Sequence, residues 1–153
     1  CTEGYDSKTS NNYTKFLCEK AFSVLENAIL NKKYDDLAYG SLYAGLGFGN
    51  TSTTLGHALS YVFSNEGFSH GHALAFTTAI AHKFNESKFY RRFIKIVKTL
   101  GIEKIHLKQD LNDAAELILS DRKHLDNNPK KVNKKDIIFL LSVINDGKLV
   151  DKF

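Results

Sequence analysis

Methionine and tryptophan are absent from this sequence, and proline occurs once, at Pro129. A chain that opens CTEGYDSKTS with no methionine anywhere reads as a fragment, a processed product or the visible part of a longer protein. Nothing in that opening looks like a signal peptide, because a charged n-region and an apolar h-region are both missing. The single proline speaks against the turn-rich punctuation of a β-sandwich and for helices. Two cysteines, Cys1 and Cys18, are too few for a disulfide framework, which fits a reducing, cytoplasmic setting. No apolar run approaches the roughly 18 residues needed to span a bilayer, so a membrane protein is not expected. Charge of one sign is also scarce in excess. The 21 Lys and Arg against 17 Asp and Glu leave +4, too mild to make nucleic acid or an anionic membrane the default partner.

What is present is an ordinary globular composition, 42% hydrophobic and 25% charged, in 153 residues, enough for one domain with a real core. The spacing predicts an all-α bundle of about seven helices in a single domain over residues 1–153. Ser10 or Asn11 caps a first helix in which Tyr13, Phe16, Leu17, Ala21, Val24, Leu25, Ala28 and Ile29 recur every three or four residues. Asp35 or Asp36 opens DDLAYGSLYAGLGFGN, whose Ala38, Gly40, Ala44 and Gly45 allow another backbone to pack closely. Leu55 to Phe63, the Ala-rich His70 to Phe84, and the amphipathic Ser87 to Leu100 follow, the last stopped by Gly101. Leu107 or Asp110 starts a sixth helix through Leu119. DRKHLDNNPKK reads as a polar turn region, and KKDIIFLLSVIND closes the chain as a seventh helix.

The chemistry gathers in residues 45–73, GLGFGNTSTTLGHALSYVFSNEGFSHGHA, which hold His57, His70 and His72. On one straight helix, His57 and His70 would stand roughly 20 Å apart, too far to share an ion. SNEGFS between them reads as a turn that reverses the chain, and a helix–turn–helix geometry brings the two imidazoles together. His70 and His72 point about 200° apart on a helix and are not expected to chelate together. Tyr61 lies four residues after His57 and shares its face. Glu66, by its turn context, is a solvated carboxylate. Neutral imidazole is a common ligand for divalent iron and zinc; helix capping or packing accounts for the same spacing. GLGFG at 45–49 lacks the third glycine at the dinucleotide-loop spacing and follows no strand, so it marks close helix packing.

Several stretches, in order, resemble the C-terminal helical domain of the iron-containing (group III) alcohol dehydrogenases. CTEGYDS matches the segment that follows that family's Asp-x-x-x-His ligand pair. YAGLGFGN and LGHALSY, with Asn50 seven residues before His57, match A-G-x-x-F-x-N and the G-x-x-H-A segment after it. HGHALA matches the second histidine motif, HG-x-A-x-A, and NNPKKVNKKDI matches the N-P-R-x-x-T-x-E-D-I closing helix. Together they span nearly the whole chain. Two departures stand out. The histidine spacing is thirteen where the family usually has fourteen, and Tyr61 stands where many members carry a second histidine used in proton transfer.

The resemblance implies a protein of two lobes. An N-terminal α/β lobe, absent here, binds NAD or NADP, and a helical lobe holds a divalent metal, Fe2+ or Zn2+, through one Asp and three His. His57 and His70 correspond to the last two ligands, and the Asp and first His fall upstream of Cys1. Phe48 corresponds to an aromatic wall beside nicotinamide and substrate, with plain core packing as its other reading, and His72 falls at a position that is often non-ligating, which makes it a bystander. The implied reaction interconverts a small alcohol and an aldehyde or ketone, in a homo-oligomer, with the nucleotide lobe as partner. The chain by itself is expected to hold metal weakly and to be inactive. Other readings stand beside this one: a non-enzymatic helical interaction domain with structural histidines, a relative of glycerol dehydrogenase or dehydroquinate synthase, and a nucleic-acid binder using KFYRRFIK at 88–95. The helical period of that last stretch puts Phe89 and Phe93 on one core-facing stripe.

Overall fold

A computed structural model describes residues 1–147. These form nine helices and no strand: α1 (Thr2–Asp6), α2 (Asn12–Leu30), α3 (Asp36–Phe48), α4 (Leu55–Asn65), α5 (His70–Asn85), α6 (Tyr90–Leu100), α7 (Leu111–Leu119), α8 (Arg122–Asn127) and α9 (Lys134–Asn145). The all-α expectation holds. The count exceeds the expected seven because two short helices, α1 and α8, are too brief to show a period. The helix expected from Ser87 starts at Tyr90 instead. Glu86 is left-handed there (φ 57°), and the Ser87 Oγ accepts the Phe89 N–H, so the chain turns before it coils. No helix among the described residues is long and apolar enough to cross a membrane.

The chain forms two compact units, one of Cys1–Thr53 with Asn127–Pro129, the other of Thr54–Asp126 with the chain from Lys130 onward. In the first unit, Asn11 starts α2 through a capping box. Its side chain accepts the Thr14 N–H (3.0 Å), while Thr14 Oγ1 accepts the Asn11 N–H (2.9 Å), so two otherwise orphaned donors are satisfied. α2 and α3 then pack as a hairpin on small residues: Cys18, Ala21, Ala28, Gly40, Ala44 and Gly47 are buried. A Cβ on Gly47 would lie 2.6 Å from Cys18 Sγ and 3.2 Å from its backbone nitrogen. Glycine there permits close backbone approach, as GLGFG suggested. Burial pushes the Cys18 thiol pKa up.

Asn127 ties this unit together. Its Nδ2 donates to the carbonyls of Thr51 (2.7 Å) and Thr53 (3.1 Å), and its Oδ1 accepts from Thr9 Oγ1 (2.9 Å). Its own carbonyl accepts the Lys8 N–H at 3.0 Å.

The second unit has a conventional core. Leu55, Leu59, Val62 and Phe63 of α4 meet Ala73, Phe76 and Ile80 of α5, and Ile118, Ile137 and Leu141 of α7 and α9 join the same cluster. Phe63 and Leu59 are fully buried, each worth about 1.5–3 kcal/mol of transfer free energy. Phe89 is buried, and Tyr90 and Phe93 pack partly buried against the core, so the aromatics of KFYRRFIK face inward. Residues 102–109 form no helix and are held by side chains. Asn145 bonds both the N–H and the carbonyl of Leu107, and Glu66 accepts the N–H groups of Lys108 and Gln109 at 2.9–3.0 Å. The expectation that Glu66 is merely solvated is therefore corrected: its carboxylate satisfies backbone donors that have no helical or sheet partner. Asp110 caps α7 by accepting from Asn112 and Asp113, bonds that hold its carboxyl below the usual range.

Candidate metal centre

All the side chains of the candidate site lie in the second unit. α4 is anchored by Leu55, Ala58, Leu59 and Val62, whose three- and four-residue spacing fixes its buried face. His57 and Tyr61 lie one turn apart on a neighbouring face, His57 partly buried and Tyr61 42% exposed. The turn after α4 contains Gly67 at φ +98°, a backbone that L side chains resist, and Phe68 N–H returns to the Phe63 carbonyl. α5 then starts at His70. The reversal read from SNEGFS thus exists, and it places the His57 and His70 rings with centres 5.3 Å apart, edge to face.

Two further rings complete a circuit. Tyr61 faces His70 at 6.3 Å and His124 at 5.7 Å, and His124 lies nearly parallel to His57 (14°) at 6.0 Å. His124 is buried, and its Nδ1 lies 2.7 and 2.8 Å from the two carboxylate oxygens of Asp121. His124 lies in DRKHLDNNPKK, whose composition is that of a polar turn region, yet Arg122–Asn127 coils there as the short helix α8 and carries His124 into the ring circuit. The available signal was Asp121 three residues ahead of His124, the spacing at which a capping carboxylate meets a first-turn side chain. A cavity of about 260 Å³ beside Tyr61 and Asp121 is otherwise lined mainly by Ala58, Val62, Leu117 and Ile118.

The other candidates lie elsewhere. His72 Nε2 is 2.5 Å from the Glu103 carbonyl, and its ring meets Phe68 and Phe76, a packing role that agrees with its reading as a bystander. His82 is buried edge-on against Phe93. Phe48 ends α3 in the first unit, 37% exposed, and a Cβ on Gly4 would lie 2.9 Å from its Cβ.

The donor set bears on a metal. Imidazoles bound at about 2.0–2.1 Å to one tetrahedral ion hold their ring centres about 5 Å apart, and the His57–His70 pair meets that spacing. Among the described residues, no group of three or more His, Cys, Asp or Glu side chains is placed to hold an ion. The pair therefore fits part of a donor set.

The family profile for the C-terminal part of Fe-containing alcohol dehydrogenases matches residues 1–120. The chain belongs to the iron-containing alcohol dehydrogenase family. Solved structures share the fold. An iron-containing alcohol dehydrogenase from Thermotoga maritima aligns with a TM-score of 0.79 at 22% identity, over 95% of this chain and 46% of its own. One from Thermococcus thioreducens gives 0.79 at 23%, over 95% and 47%. A 1,3-propanediol oxidoreductase gives 0.79 at 20%, over 93% and 48%. The chain thus spans about half the length of these iron-containing alcohol dehydrogenases and their kin. No curated protein matches it.

Proposed function

We propose that this chain is the metal-binding half of an iron- or zinc-dependent, NAD(P)-linked alcohol dehydrogenase that interconverts an alcohol and an aldehyde or ketone. The observation that carries the reading is the 5.3 Å approach of His57 and His70, thirteen residues apart, in a chain of this family. The two imidazoles are neutral nitrogen donors suited to divalent iron or zinc. An Asp and a third His, supplied from sequence before residue 1, would bring the donor set to four. When bound, such an ion supplies a Lewis acid that eases loss of the alcohol proton and, in reverse, polarises a carbonyl.

This chain's own part is to hold and to shape. Helix α4 fixes His57 through its buried apolar face, and the turn at Gly67 sets where α5 begins and so where His70 stands. Hydride chemistry belongs to NAD or NADP, held by a nucleotide-binding lobe outside this chain, and Phe48 serves as an aromatic wall toward it. The setting is cytoplasmic and the enzyme a homo-oligomer. His72 and His82, held by a carbonyl and by an aromatic edge, are structural.

The test is alcohol-dependent reduction of NAD or NADP, followed at 340 nm. The chain alone should give no turnover. The same chain fused behind the nucleotide lobe of a family member should turn over with Fe2+ or Zn2+ present, and His57→Ala or His70→Ala should each abolish that rate. Turnover by the chain alone would overturn the division of labour. An active fusion indifferent to both substitutions would overturn the ligand assignment.

A further inference from the structure

Asp121 and His124 sit at the site yet have no part in the reading above. Their arrangement is specific. The His124 ring is 8% exposed and Asp121 20%, both carboxylate oxygens reach Nδ1 within 2.8 Å, and Asp121 also accepts the His124 N–H at 3.3 Å. Plain packing at this place would be served by leucine or phenylalanine at lower desolvation cost, because the buried His124 and the partly buried Asp121 must recover the hydration that they give up. The pair stands instead where the four rings close: His57 to His70 at 5.3 Å, His70 to Tyr61 at 6.3 Å, Tyr61 to His124 at 5.7 Å and His124 to His57 at 6.0 Å. Anchored at one nitrogen, His124 cannot spin, so the face it offers to His57 is fixed.

We propose that Asp121 and His124 are positioning residues for the metal at His57 and His70. Asp121 locks the His124 ring. That ring, parallel to His57 and tilted against Tyr61, restricts the plane in which His57 offers its nitrogen. The Asp121 carboxylate also lies one ring away from His57, where a carboxylate favours a cation bound by the His57–His70 pair. The carboxylate–imidazole pair at the start of α8 thus does for this site what outer coordination shells do generally, orienting ligands and raising affinity. The inference rests on the metal reading above.

Calorimetric titration with Zn2+ of the chain joined to the lobe that supplies the Asp and third His tests it, together with the visible absorption of the Co2+-loaded protein. His57→Ala and His70→Ala should each remove most binding. His124→Ala should weaken Zn2+ about tenfold and change the Co2+ band, and Asp121→Asn should fall between that and the parent, by the usual effect of outer-shell loss. His72→Ala, outside the circuit, should bind as the parent does. Should His124→Ala unfold by circular dichroism, His124→Gln, whose amide still reaches Asp121, is read instead. Dissociation constants within twofold of the parent and an unchanged Co2+ band in the Asp121 and His124 variants, with binding lost in His57→Ala, would overturn the positioning role and leave the metal reading intact. Parent-like Zn2+ binding in both His57→Ala and His70→Ala would overturn the metal reading and this inference with it.

Discussion

The two helical hairpins of this molecule are built on opposite principles. α2 and α3 meet through Cys18, Ala21, Ala28, Gly40, Ala44 and Gly47 and, although Leu17 and Phe22 of α2 are buried, leave many of their large apolar side chains outside: Tyr13 and Phe16 are each 66% exposed, Tyr39 65% and Leu42 59%. α4 and α5 bury nearly everything large that they own, Leu55, Leu59, Phe63, Phe76 and Ile80 among them. One hairpin obtains its contact from backbone proximity, the other from side-chain volume. The difference separates what each can tolerate. A core of large side chains suffers from removal, because the void left behind loses both transfer free energy and dispersion partners. A seam of small residues suffers from addition, because nothing there can give way.

Three substitutions sharpen or break that contrast, and denaturant unfolding followed by circular dichroism reads all of them. Phe63→Ala empties the centre of the α4 core and should cost about 3–5 kcal/mol; a loss below 1 kcal/mol would mean the core collapses around the gap. Gly47→Val puts atoms where Cys18 Sγ already stands, 2.6 Å from the new Cβ, and should cost about 1–3 kcal/mol. A neutral outcome there would mean that the α2–α3 seam is loose and the contrast wrong. Leu42→Ser removes an exposed side chain from the same hairpin and should stay within about 0.5 kcal/mol.

The same contrast explains what could be read in advance. Helices with a strong period and a large apolar stripe were legible: α4, α5 and α9 lie close to where spacing put them, because burial of Leu, Ile and Phe at three- and four-residue intervals leaves few alternatives. Gly101 as the stop of α6 was legible too, since it takes the left-handed conformation that glycine adopts at little cost. His57 and His70 could be paired from a turn and a resemblance. His124 could not, because its place depends on where α8 falls in three dimensions, and six residues carry no measurable period. Glu66 misled for a related reason. A carboxylate in a turn reads as solvated unless one knows that a non-helical strand of chain, 107–109, runs past with donors to satisfy.

Asn127 has a bearing on how the chain is made. It belongs to the same unit as residues 1–53, and its side chain holds Thr9, Thr51 and Thr53, yet everything from Thr54 to Asp126 is synthesised in between. At about 5–20 residues per second, that order-of-70-residue insertion delays the staple by roughly 4–15 s after the segment it closes has left the ribosome. For that interval the Thr9 hydroxyl and the carbonyls of Thr51 and Thr53 lack the side chain that finally holds them together. During translation, residues 1–53 therefore wait for Asn127 before their last side-chain hydrogen bonds form.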